Sequence, residues 1–360
     1  MGEVDFVILP LANPSFDREK VDIDEIRRLA SHGLDGYQPE DRAVAWLCML
    51  NIYPEDPLEW PMKRSELRES YWAFVKDLGL AEWDTKNIPH QPQVSYYQLK
   101  NNVLMGQIHG DLVRTGRTIF FLQPDPIDDG YEPDSADMVM VQFARHVRRL
   151  ERILYVFATC NAGWGYMQGF NELIIPLYYC FISALPFFNN DMILLEALTF
   201  QALQTLITES GLHEFYTTQD NSSIIMHRLE DFNQLLSRHM SDVASIINEL
   251  NIHPLLYCFR WFNLLFSQEH DLPNIILIWD DLFAHFDQLM DMVFYIGLGH
   301  IKQISGQLEK GNYTGTLSAL QNMPPNMDLK PIVTFANKCW DEDHKKKSGL
   351  KGFLQKKAKK

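Results

Sequence analysis

Asp111 and Arg114 stand three residues apart in Ile108-His-Gly-Asp111-Leu-Val-Arg114-Thr115. That spacing sets a carboxylate and a guanidinium on one side of a helix, with Ile108 anchoring the same side in the core. Asp111 can fix the direction of Arg114 by charge-assisted hydrogen bonds, and an arginine at a helix end before Thr115-Gly116 can project past its own surface. Taken alone, the pair reads as a surface ion pair worth a few tenths of a kcal/mol. A second candidate is Gln168 in Gly163-Trp-Gly-Tyr166-Met-Gln168-Gly169-Phe-Asn171-Glu. The glycines predict a constrained loop, with Asn171 capping the apolar helix that follows. A carboxamide both donates and accepts, which suits holding a water in line for attack on a phosphoryl group. By itself Gln168 reads equally as a glutamine satisfying loop backbone. The third pair, Arg42 and Trp46, shares a helix face at i,i+4 and reads first as architectural packing.

Helices must position these groups. Apolar residues recur at helical spacing over 138–157, where Arg145, Arg148, Arg149 and Arg152 fall on other faces, so an amphipathic helix is expected. Similar stripes run over 192–207, 224–236, 246–250, 255–266 and 275–286. Residues 23–30 form a first helix in this reading, capped by Asp22 and stopped by Gly33. Strand-like alternation is scarce, and residues 4–9 are the only short candidate. Residues 123–137 combine Pro, Gly and six acids as a surface loop without the ligand spacing of an EF-hand. No repeat of fixed period suggests a solenoid. An all-α fold with little or no β is therefore expected.

Composition excludes several classes. The formal charge of −15 argues against general nucleic-acid binding. Eight of the 32 basic residues lie from Lys345 onward with no acid among them, so the 47 acids weigh on the rest of the chain. The run 344–360 reads first as a solvated basic tail. Leu350, Phe353 and Leu354 also allow a short amphipathic segment against anionic membrane, at ~1 kcal/mol or less per lysine. Five scattered cysteines build neither a disulfide framework nor a zinc cluster and fit a reducing, cytoplasmic setting. The charge-free run 173–190 is short for a bilayer span and broken by Pro176 and Pro186, so a buried helix is expected. There is no phosphate-cradling G-x-x-x-x-G-K-[ST], no G-x-S-x-G elbow, no H-E-x-x-H helix and no kinase H-R-D set. If phosphoryl chemistry happens here, another protein must hold the nucleotide.

In this order, R-x-x-x-W (Arg42, Trp46), I-x-x-D-x-x-R (Ile108, Asp111, Arg114) and Y-x-Q (Tyr166, Gln168) resemble the three signature motifs of the TBC (Tre-2/Bub2/Cdc16) Rab-GAP family. Flanks agree at Gly36, Thr115 and the Gly169-Phe-Asn171 run, and the likeness covers about residues 36–300. The stretch 161–179 is similar to the member-thirteen subgroup. Phe170 stands where the family more often has Met, and Gly116-Arg117 replaces an aromatic-Pro. The resemblance implies two packed helical subdomains, with a lead segment at 1–35, a TBC domain at 36–340 with halves at about 36–190 and 191–340, and the basic tail at 341–360. It implies a GTPase-activating protein for a Rab-family GTPase in vesicle trafficking, cytoplasmic and peripheral on endomembranes. Arg114 and Gln168 would be the catalytic pair. Asp111, Ile108, Tyr166, Arg42, Trp46, Gly169 and Asn171 would support them. No cofactor is expected, since GTP and Mg belong to the partner. The rival within the same fold is a catalytically idle scaffold that binds a Rab or a membrane partner.

Overall fold

Asp22 accepts a hydrogen bond from the Glu25 amide at 3.0 Å, which starts helix α1 (Ile23–Ala30) where the sequence places it. The computed structural model describes residues 20–85, 99–115, 122, 143–216, 221–324 and 326–357. The strand candidate at 4–9, the acidic loop 123–137 and Gly116-Arg117 lie outside the described residues. Among the described residues thirteen further helices follow: α2 (Pro39–Met49), α3 (Trp60–Asp77), α4 (Asn102–Arg114), α5 (Ala144–Cys160), α6 (Phe170–Ser183), α7 (Met192–Glu209), α8 (Asn221–His239), α9 (Ser241–Glu249), α10 (Phe259–Asn263), α11 (Leu272–Ala284), α12 (Leu289–Ile304), α13 (Tyr313–Gln321) and α14 (Lys330–Lys357). Among the described residues there is no strand. The fold is all-α, as the periodicity predicts.

The chain divides into two compact units. One holds residues 35–209 with 271–276 and the chain up to Ile26; the other holds 27–34, 210–270 and the chain from Leu277. The division thus falls at Glu209 and Ser210, eighteen residues and a whole helix past 191. Asp191 does open that helix, accepting from the Ile193 and Leu194 amides at 3.0 Å. But α7 packs on α3, α5 and α6, so it belongs to the first unit.

In that first unit α5 is a buried centre. Every residue from Ala144 to Ala158 is buried, including Arg145, Arg148, Arg149 and Arg152. This corrects the amphipathic reading, in which those arginines face solvent. Carboxylates meet them, one from the same helix and two from other elements. Arg148 pairs with Glu151 at 2.7 Å, Arg152 with Glu196 of α7 at 2.5 Å, and Arg152 with Asp84 at 3.0 Å. Burying a charge is costly unless it is paired and hydrogen-bonded, and here neighbouring hydroxyl and indole donors complete the shell. Tyr71 donates to Glu196 at 2.7 Å and Trp83 to Glu151 at 2.9 Å. The run 173–190 becomes α6 and a short turn, with Tyr178 fully buried against His146 at 3.0 Å. No described helix is long and apolar enough to cross a membrane.

In the second unit α12 is the central helix and packs along α14. Gly299 makes that contact possible, because a Cβ there would lie 2.6 Å from the Ile332 carbonyl oxygen. Phe232, Phe262 and Phe294 cluster beside it at centroid distances of 4.8–5.9 Å. The stripe at 255–266 predicts one helix, but only α10 forms. Leu265 and Phe266 take positive φ of 48° and 62° and end it. Their backbone is used elsewhere: Phe266 N donates to Trp261 O at 2.9 Å, and the Trp279 indole donates to Leu265 O at 3.2 Å. The α14 backbone stays helical to Lys357, across the tail boundary at 341.

Candidate functional site

Helix α4 presents Arg114 because its other side is pinned to α5. Asn101 caps its start by accepting from the Leu104 amide at 3.0 Å. Met105, Ile108 and Leu112 are fully buried at helical spacing. Two polar tethers run to α5: the Asn101 amide donates to the Tyr155 hydroxyl at 3.1 Å, and His109 meets Glu151 at 2.7 Å. Tyr155 and Glu151 are one turn apart on α5, and their partners run the opposite way along α4, so α4 is held at its start and again at His109. Burial alone would raise the Glu151 carboxyl, but Arg148 and His109 outweigh it and hold the group below its ordinary range. His109 and Glu151 are absent from the sequence-derived candidates. The only signal for His109 is its place beside buried Ile108, and a single sequence does not reveal its partner.

Arg114 is the last residue of α4 and its side chain is 70% exposed, while that of Asp111 is 6% exposed. The Arg114 guanidinium donates to Asp111 Oδ1. The other carboxylate oxygen, Oδ2, accepts from the Tyr166 hydroxyl at 2.8 Å. Burial, followed by the Asp111 charge, pushes the Tyr166 hydroxyl well above its ordinary pKa, so it remains a donor. A second bridge runs through the backbone. Thr115 Oγ1 donates to the Asp111 carbonyl at 2.9 Å and accepts from Asn171 Nδ2 at 2.8 Å. Asn171 Oδ1 then accepts from the Gly169 amide at 3.1 Å. The C-terminal end of α4 and the loop before α6 are thereby tied at two points.

Gln168 is exposed in that loop, between buried Gly169 and half-buried Tyr166. Gly165 at φ 64° and Gly169 at φ 111° bracket the segment Tyr166-Met167-Gln168, and both conformations favour glycine. Gly169 occupies the N-cap position of α6, so Asn171 is not the cap. It is buried two residues further in and joins the loop to Thr115, because the left-handed glycine already turns the chain into the helix. Arg42 and Trp46 lie on α2, which Pro39 opens and which packs against α6. Trp46 is fully buried and Arg42 half-buried. Among the described residues no group of three His, Cys, Asp or Glu side chains is placed to hold a metal.

Residues 137–308 match the family model of the Rab-GTPase-TBC domain. Over that segment the chain is similar to a TBC domain. The matched segment includes Gln168 and Tyr166 and begins after Arg114, so the arginine rests on its motif and its geometry. The TBC1 domain family member 13 of Homo sapiens is 34% identical over 179 residues, 50% of this chain and 44% of that protein. The GTPase-activating protein gyp1 of Schizosaccharomyces pombe is 24% identical over 321 residues, 86% of this chain and 55% of that protein. The chain thus spans about half the length of these relatives. The crystal structure of the Ypt/Rab-GAP domain of Gyp1p superposes with a TM-score of 0.69 over 95% of this chain and 100% of that one, at 19% identity. At that identity the likeness establishes the fold: two helical units of the TBC kind.

Proposed function

We propose that this chain accelerates GTP hydrolysis by a Rab-type small GTPase, lending it Arg114 and Gln168. The observation that carries the reading is the shared tether. Asp111 holds the exposed Arg114 through one oxygen and Tyr166 of the Gln168 loop through the other. A guanidinium and a carboxamide are thus both presented outward from one braced support. Phosphoryl transfer asks little covalent chemistry of a protein; it responds to positioning and to charge placed where charge develops. Arg114 neutralises charge growing between the β- and γ-phosphates, and Gln168 orients the attacking water. Asp111, Tyr166, Thr115 and Asn171 keep both from swinging away. The nucleotide and its magnesium belong to the GTPase. The place of action in this reading is the cytoplasmic face of an endomembrane, where trafficking GTPases are loaded.

Single-turnover hydrolysis across a panel of GTP-loaded Rabs tests this. At least one Rab is expected to release phosphate faster with the chain present. Binding without acceleration by every Rab bound would replace the catalytic reading with the idle scaffold.

A further inference from the structure

The second unit holds a cavity of about 630 Å³ whose chemistry runs against the charge of the chain. Lys330 and Lys338 come from α14, Arg28 and His32 from the 27–34 segment, and His285 from the turn after α11. Trp340 supplies an apolar wall. It is 8% exposed and fixed by His344 stacked at 3.9 Å and by the His285 ring at 4.8 Å. Asn337 ties the floor together, donating to the Ser31 carbonyl and to buried Asp281, each at 3.0 Å. Two acids, Asp341 and Glu342, also line the cavity, against three permanent cations and two imidazoles. Burial lowers His285, but the Asp281 carboxylate 3.2 Å away more than offsets it and favours the imidazolium. The volume suits a small ligand, and cations converging on a fixed aromatic wall suit an anionic one.

We propose that this cavity binds a phosphomonoester, with the phosphate among Lys330, Lys338 and Arg28 and the carbon skeleton against Trp340. Such a group is carried by a free sugar phosphate or by a lipid headgroup. Helix α14 bears on the second source: it carries the two cavity lysines and continues, through the lysine-rich run from Lys345, to Lys357. A headgroup in the cavity would bring that run to the same bilayer, where clustered lysines add attraction. The proposal does not depend on GTPase activation.

The full chain is titrated calorimetrically with inositol trisphosphate. In parallel it is co-sedimented with phosphatidylcholine vesicles carrying a phosphatidylinositol phosphate, or phosphatidylserine at matched charge. The test variant is Lys330→Glu with Lys338→Glu; both lysines are exposed, and circular dichroism checks the fold. The wild type is expected to bind the soluble probe or to prefer the phosphoinositide vesicles, and the variant to weaken that binding roughly tenfold or more. Soluble binding without vesicle preference assigns a free ligand; vesicle preference lost in the variant assigns a lipid. Failure of the wild type in both arms overturns the proposal. So does equal binding by the variant, which retains every tail lysine.

Discussion

Arg114 differs from an ordinary surface arginine in what stands behind it. Its acceptor, Asp111, is buried and is itself held by a tyrosine from a loop 55 residues away. An arginine finger is worth ~10³–10⁵ in rate, whereas an exposed i,i+3 ion pair is worth about a kcal/mol at most. The two roles therefore separate cleanly by mutation. Gln168→Ala is expected to reduce stimulated hydrolysis at least about a hundredfold with an unchanged circular dichroism spectrum. Arg114→Lys should not restore activity to the arginine position, because an ammonium lacks the planar fork. Tyr166→Phe removes a donor from a buried carboxylate, a cost of about 1–3 kcal/mol. It should lower kcat more than it raises KM, since Arg114 and Gln168 stay present but less well aimed. A purely structural tyrosine would change the melting temperature and leave kcat alone. The Asp111–Arg114 pairing was legible from spacing. The Tyr166–Asp111 and Asn171–Thr115 bridges were not, because they join residues 55 and 56 positions apart and no local pattern encodes them.

The helices tell a similar story with a different limit. Residues 23–30 were readable to the residue, because a capping Asp22 and a left-handed Gly33 mark both ends locally. Helix α5 was readable as a helix but not as a buried one. Periodicity separates apolar from polar faces, and it cannot distinguish a face in water from a face against Glu196 and Asp84. The break after α10 was hidden for a related reason, since the stripe continues through Leu265 and Phe266 while both take the left-handed region and the Leu265 carbonyl accepts from the distant Trp279 indole. The ion network also sets an element-scale expectation. Glu151→Ala withdraws one carboxylate from Arg148, His109 and Trp83 together, and breaking a buried pair costs about 3–5 kcal/mol. Urea unfolding should show that loss. Because the folded Glu151 carboxyl lies below its unfolded value, its contribution is present above about pH 4.5 and lost as pH falls through the folded pKa. A flat urea midpoint in the variant would mean that α5 stands without its ions.

For the whole molecule, a chain of formal charge −15 must keep its fold while presenting the cationic Arg114. The second unit contains a pH-sensitive brace. His300 is fully buried, stacks on Phe266 at 4.4 Å, and directs Nδ1 to the Ile296 carbonyl, so its Nε2 accepts from His270 at 2.7 Å. Burial, then His270, lowers His300 to about 3, and burial lowers His270 to about 4. An unfolded imidazole titrates near 6.5, so as pH falls below about 6.5 the unfolded chain gains protons that the folded chain refuses. Stability measured by denaturant should decline from pH 6.5 toward 5, and His300→Gln should flatten that slope; an unchanged slope would remove the pair as its source. The central claim is that the chain completes another protein's active site. The most direct measurement is single-turnover phosphate release from a responsive GTP-loaded Rab, with wild type and Arg114→Ala compared at saturating concentration. The expected result is a loss of roughly a thousandfold in stimulated rate with the fold and the binding of the GTPase retained. Equal stimulation by the two proteins would contradict it.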